Sequence, residues 1–232
     1  MNGFFYQPTQ AAAVVDFEKE VYFLPDAANS SRFQAQGHLL FRPASRILLA
    51  APHGGFDLAT DNIALEICRL NPRLSCLIAQ SFRSESPSPI RHNVNRPTTR
   101  QSDDCSQPNQ KSQRVFETWM EKISRQGPLL YIEIHGNNRP ASASGIEIAH
   151  GGFDPHALKD IFTDPKFLIE GIDPIYFHAK QNKECGSMAM VPKSIHIELP
   201  YQYRKSVTAQ QAIAQSLNDH IKRLLRASNF HY

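Results

Sequence analysis

The 232-residue chain is 41% hydrophobic and 20% charged, the balance of a globular protein with room for one α/β domain and a substantial core. A net charge of +3, with the basic residues spread along the chain, argues against a nucleic-acid partner. No stretch approaches the ~20 apolar residues a membrane helix needs, so no membrane partner is expected either. The four cysteines (Cys68, Cys76, Cys105 and Cys185) lack Cys-x-x-Cys spacing, which disfavours a cysteine zinc site and a disulfide framework. The N-terminus has neither the basic region nor the long apolar core of a signal peptide. The expected location is therefore cytoplasmic, although a processed secreted form is also compatible.

Residues 1–45 read as a lead-in. The segments 18–24 and 37–42 suggest two strands added to an edge of a sheet, with His38 an ordinary strand residue. The apolar run from Ile47 to Ala51 is a buried strand that stops at Pro52-His53-Gly54-Gly55. A helix is expected from about Leu58 to Leu70, halted by Asn71-Pro72. Leu74 to Ala79 is the next strand. A long irregular stretch from Ser81 to Gln110 follows, rich in Ser, Pro and Arg, and loops of that length are often functional. Helical spacing returns at Val115, Phe116, Trp119, Met120 and Ile123.

Leu129 to His135 is a further strand, and Gly145 to Ala149 another, ending at His150. Residues 155–171 read as a helix with a loop, Pro174 to His178 as a strand, and Gln181 to Pro192 as a loop. Lys193 to Pro200 is a late strand carrying His196 and Glu198. A long helix from about Thr208 to Ala227 has the apolar stripe Ile213, Leu217, Ile221, Leu224 and Leu225, which would pack it on the sheet. No linker interrupts this order. The expected fold class is α/β, a single domain with a mixed, mostly parallel sheet sandwiched by helices. Residues 46–204 would form its core and 205–232 its C-terminal helix.

Strand, glycine turn and helix is where open α/β sheets place ligands, and glycine permits close approach of backbone to a bound group. His53 and Asp57 flank one such turn, and His135 ends a distant strand. Together they offer the His and carboxylate donors of a catalytic zinc site. Asp57 also suits the helix N-cap, and that reading stands beside the ligand one. Glu198 is a carboxylate placed to move a proton, or else to pair with a cation such as Arg204. Glu133 shares a strand face with His135 and could accept its hydrogen bond. In the long loop, Arg91, Asn95 and Arg96 offer forked recognition of a carboxylate. His150, His196 and Tyr201 could line the same cleft. The triplet Asn138-Arg139-Pro140 echoes Asn95-Arg96-Pro97.

The order of these residues resembles the zinc carboxypeptidase superfamily, and within it the N-formylglutamate amidohydrolase branch. The resemblance rests on Pro52-His53-Gly54-Gly55, Val94-Asn95-Arg96-Pro97, Glu133-Ile134-His135 and Ile195-His196-Ile197-Glu198, and spans roughly residues 46–204. It implies a single Zn2+ held by His53, Asp57 and His135, with Glu198 as general base. Arg91 would polarise the scissile carbonyl or hold substrate, and Asn95 with Arg96 would clamp the substrate carboxylate. Carboxypeptidases proper place Glu three residues after the first His, where this chain has Phe56. Asp57 thus fits by a shifted spacing, with Asp61 the alternative.

The implied activity is hydrolysis of an amide next to a free carboxylate, on an N-acyl amino acid such as N-formylglutamate or on a short peptide. A small carboxylate-bearing amide would be the partner. Hydrolysis of γ-glutamyl or cell-wall peptides is the second enzymatic reading. A non-catalytic binding protein on the same fold is the third.

Overall fold

The computed structural model describes residues 18–23, 36–54, 56–79, 93–99 and 102–228. Among these residues eight strands form one sheet: β1 (Glu18–Phe23), β2 (Gln36–Phe41), β3 (Ile47–Ala51), β4 (Ser75–Ala79), β5 (Leu130–Asn137), β6 (Ile146–Gly151), β7 (Phe167–Ile169) and β8 (Lys193–Pro200). Their spatial order is β1-β2-β4-β3-β5-β8-β6-β7. The centre, from β4 through β3 and β5 to β8, is parallel. The pairs β1·β2, β2·β4 and β6·β8 are antiparallel.

The helices are α1 (Thr60–Leu70), α2 (Gln110–Gln126), α3 (Pro155–Ile161), α4 (Lys180–Cys185) and α5 (Val207–Ala227). β3 and β4 are buried at every residue because helices cover both faces, which is why they read as unbroken apolar runs. On one face, Ile132, Ile134, Ile195 and Ile197 meet Ile63 and Ile67 of α1 and the whole expected stripe of α5. On the other, Leu48, Leu77 and Tyr131 meet Val115, Trp119 and Ile123 of α2. Ser206 caps α5, its side chain accepting from the Ala209 N–H at 3.2 Å.

β5 and β8 carry the information that matters for a site. Their parallel register sets Glu133 beside His196 and His135 beside Glu198. Alternation sends Leu130, Ile132 and Ile134 into the α1–α5 core, while Tyr131, Glu133, His135 and Asn137 share the opposite face. The polar groups cluster toward the carboxyl ends of the central parallel strands, next to the turn that follows β3.

Several expectations are corrected. α1 begins at Thr60, and Asp57 does not cap it. Ala59 occupies the cap position with φ 64°, and Thr60 bonds the Asp57 carbonyl through both its N–H (3.1 Å) and its hydroxyl (2.9 Å), so the carboxylate is left for other use. The stretch 155–171 holds a strand, β7, as well as a helix. Pro174 to His178 is not a strand. β7 already pairs with β6 at that side of the sheet, and the Phe177 N–H bonds the Glu147 carboxylate at 2.8 Å instead of a ladder carbonyl.

The supposed loop 181–192 contains most of α4 and a 3-10 turn, Ser187–Met190. The cysteines are also paired, Cys68 with Cys76 and Cys105 with Cys185. Spacing could not reveal this, because packing of α1 on β4 and of the 102–109 segment on α4 brings distant thiols together.

Candidate metal centre

The turn after β3 is closed by two amides, Phe56 and Asp57, which both donate to the His53 carbonyl at 2.8 Å. This brings Asp57 back beside His53. Gly54 is needed for packing. A Cβ there would lie 2.6 Å from the Asp61 Cβ and 2.9 Å from the Ala79 carbonyl oxygen. Asp57 Oδ2 lies 3.5 Å from His53 Nδ1 and 3.5 Å from His135 Nδ1, and it accepts the Gly136 N–H at 3.2 Å. One donor atom from each of His53, Asp57 and His135 falls within 4.8 Å of the other two. Asp61 stands in the first turn of α1, outside this group.

Electrostatics fit a cation at that point. Burial disfavours the charged form of Asp57, but the two imidazoles outweigh it and hold the carboxyl well below its usual range. Burial likewise opposes charge on His135. The hydrogen bonds that His135 donates to Asp57 and Glu133 and the field of Glu133 and Glu198 prevail there, pushing it up to about 10. At His53 burial wins, and its pKa falls despite Asp57. The chain thus gathers two imidazoles around a persistent anion in a buried pocket. Two histidines and a carboxylate are the donor set of catalytic zinc sites, and they would hold a divalent ion here.

Glu133 is fully buried and organises what lies behind. It accepts from His135 Nε2 (3.2 Å), His196 Nδ1 (3.4 Å), the Tyr131 hydroxyl (2.7 Å), Asn95 Nδ2 (3.1 Å) and Asn182 Nδ2. Trp119 Nε1 in turn donates to the Tyr131 oxygen at 3.2 Å. Burial and then Glu133 push the Tyr131 phenol well above its usual pKa. With its Nε2 on Glu133, His135 presents Nδ1 to the metal position, the carboxylate–imidazole arrangement that fixes a ligand ring and raises its basicity. Glu133 is held ionised: burial opposes the charge, but its imidazole partners outweigh it.

Glu198 lies 3.1 Å from His196 Nε2 through Oε1, and Oε2 accepts from Asn137 Nδ2 at 3.4 Å. His196 stacks on His135 with ring centroids 4.3 Å apart. Glu198 does not pair with Arg204. That guanidinium is buried and donates to the carbonyls of Leu58, Leu199 and Asn137 and to Asn138 Oδ1, all at 2.8–3.0 Å. Gly136 makes room for it, since a Cβ there would sit 2.5 Å from the Arg204 Cζ.

His53, Asp57, His135, His196 and Glu198 open onto one cleft of about 1300 Å³, whose farther walls include Phe56, Arg96, Arg139, Tyr176, Phe177 and Lys180. The expected clamp is differently engaged. Asn95 holds Glu133, and Arg96 lines the cleft but is paired with Asp103 at 2.9 Å. Arg91 lies outside the described residues. His150 bonds Glu170 through its backbone N–H (3.2 Å to the carboxylate) and its ring, and it does not line the cleft. Tyr201 is exposed and is not among the described residues lining the cleft. The sequence reading missed Tyr131, Asn137 and Asn182. Period-two spacing from Glu133 and His135 marks the first two, whereas nothing local marks Asn182.

No family model matches the sequence, and no characterised protein is similar enough in sequence to be matched. The fold has solved counterparts. A protein of Shewanella denitrificans, provisionally named carboxypeptidase A, superposes with a TM-score of 0.58 at 11% identity over 91% of this chain and 65% of its own. A metallo-carboxypeptidase of Burkholderia cenocepacia gives 0.51 at 12% identity, over 92% and 66%. A Shewanella frigidimarina protein, provisionally named succinylglutamate desuccinylase/aspartoacylase, gives 0.53 at 11%, over 88% and 71%. The chain thus spans slightly under two thirds of the two carboxypeptidase chains. At such identities the likeness is one of architecture, and the chain shares the α/β fold of these carboxypeptidase-like structures.

Proposed function

We propose that this chain is a metal-dependent amidohydrolase, with zinc held by His53, Asp57 and His135 and with Glu198 as general base. The observation that carries the reading is the convergence in one cleft of three donor groups from two separate strand ends and a fourth carboxylate that is not part of the donor set. A divalent ion there would polarise a substrate carbonyl and acidify a water. Glu198 takes the proton of the attacking water and returns it to the leaving nitrogen. His196 and Asn137 hold the two Glu198 oxygens, and Glu133 keeps the His135 ring turned toward the metal position.

The substrate class is an amide next to a free carboxylate. An N-acyl amino acid such as N-formylglutamate satisfies the chemistry, and so does a peptide. The size of the cleft favours the peptide, because pockets for single small molecules run to about 300–1000 Å³. The two disulfides favour an oxidising compartment over the cytoplasm, where thiols are kept reduced.

The test is metal analysis of the purified chain beside amide hydrolysis by wild type and Glu198→Gln. About one zinc per chain in both proteins, with hydrolysis in the wild type alone, is expected. Metal without hydrolysis in either protein would turn the reading to a binding protein on this fold.

A further inference from the structure

The guanidinium that the sequence pattern puts forward for the substrate carboxylate, Arg96, already faces an anion in Asp103 at 2.9 Å. Arg204 is consumed by backbone carbonyls, and Lys183 is paired with Glu170 at 2.6 Å. Arg139 differs from all of these. It leaves β5 two residues after Asn137, the residue that holds Glu198, and it lines the same cleft.

The side chain of Arg139 is exposed but not loose. One N–H donates to the Tyr176 hydroxyl at 2.5 Å, and the Cζ lies 5.1 Å from the Tyr176 ring centroid and 5.5 Å from that of Phe177. The two rings brace each other edge to face at 4.9 Å. Their segment is pinned by the Phe177 N–H to buried Glu147, which is directly opposite Glu198 in the β6·β8 ladder. Among the described residues, no carboxylate meets Arg139, and its remaining N–H groups have no acceptor. Exposed Lys180 adds a second cation to the same wall. A guanidinium held against aromatic rings and tied to a hydroxyl, with donors to spare, is a preorganised fork for a carboxylate.

We infer that Arg139, braced on Tyr176 and Phe177, is a carboxylate-binding subsite for a substrate residue beyond the scissile amide, so that the cleft takes an acidic peptide chain rather than a single acylated amino acid. This rests on the hydrolase reading for the position of the scissile bond, and on the geometry alone for the anion subsite.

The experiment is calorimetric titration of the zinc-loaded Glu198→Gln chain, which leaves ligand uncut. The ligands are α-linked and γ-linked tri-glutamate and, as the neutral counterpart, tri-glutamine C-terminal amide. Adding Arg139→Gln should weaken binding of at least one tri-glutamate by about 10- to 100-fold, the usual worth of hydrogen bonds to a charged group, and leave the neutral peptide unchanged. Arg139→Lys should restore part of the loss. The subsite is overturned if neither tri-glutamate binds, if Arg139→Gln weakens acid and amide alike or neither, or if the carboxylate-specific loss follows Arg96→Gln instead. Hydrolysis of the same peptides by the wild type is scored separately. Arg139-dependent binding without cleavage would sink the hydrolase reading and leave the subsite standing.

Discussion

Glu133 is a carboxylate with no exposure that accepts from two histidines, a tyrosine and two asparagines. Its charge is affordable only because every oxygen is engaged. Glu133→Gln keeps the volume but removes the anion behind His135. It should lower metal affinity about 10- to 100-fold, as read by competition with a chelator. Glu198→Gln should do the reverse, keeping metal affinity and lowering hydrolysis by at least about 100-fold.

The same residues set a pH dependence. In the metal-free chain His135 binds a proton up to about pH 10, whereas Asp57 stays ionised throughout the neutral range. A metal at Nδ1 must displace the His135 proton, so uptake at pH 7 releases about one proton and apparent affinity rises with pH until His135 deprotonates by itself. Calorimetry in buffers of different ionisation enthalpy counts that proton. Metal uptake at pH 7 without proton release would contradict the placement of His135 as a ligand.

Element by element, the segments that build the site are stapled as well as packed. The disulfide Cys105–Cys185, closing 80 residues, ties the loop that carries Asn95 to α4, which carries Asn182. Ser187 strengthens the tie through its N–H to the Asn95 carbonyl at 2.9 Å. In the chain-entropy account, a loop of that length is worth about 4.5 kcal/mol. A Cys105→Ser, Cys185→Ser chain should unfold at markedly lower urea, and it should also bind metal less tightly because two of the five donors to Glu133 are released. A shift in urea midpoint with unchanged metal affinity would mean that the loop holds its place without the staple.

Legibility in the sequence follows the same division. β3 was readable because burial on both faces makes an apolar run, and β5 and β8 because apolar residues recur at every second position; the ends of the three displayed His53, His135 and Glu198 directly. α4, β7 and both disulfides were not. They are short, and what fixes them lies far away in sequence: Glu133 for Asn182, β6 for β7, and partner thiols 8 and 80 residues distant. The two Asn-Arg pairs are hard to tell apart in the sequence for a related reason. Asn95-Arg96 and Asn138-Arg139 look alike as letters, and only the positions of Glu133 and Asp103 show that the first pair is turned to internal partners.

For the whole molecule, the decisive fact is that the donors sit on two chain segments meeting at the carboxyl ends of adjacent parallel strands, the turn after β3 and the end of β5. Neither segment can gather the set alone, since His53 and Asp57 are separated from His135 by some 80 residues of chain. In the unfolded state the three groups rarely coincide, so a metal that binds the folded centre binds the native state selectively. Its contribution to stability then grows as RT ln(1 + [L]/Kd), which is about 4 kcal/mol when free metal exceeds Kd a thousandfold. For a chain of this size each kcal/mol moves the melting temperature by about 2–4 °C, so saturation should raise Tm by ~8–16 °C. A His53→Ala, His135→Ala chain should fold, because β3 and β5 are held by the apolar cores on both faces of the sheet, yet show none of this shift. Equal thermal shifts in wild type and double variant would place the metal elsewhere on the molecule. A shift confined to the wild type ties folding, metal and cleft to the same three side chains.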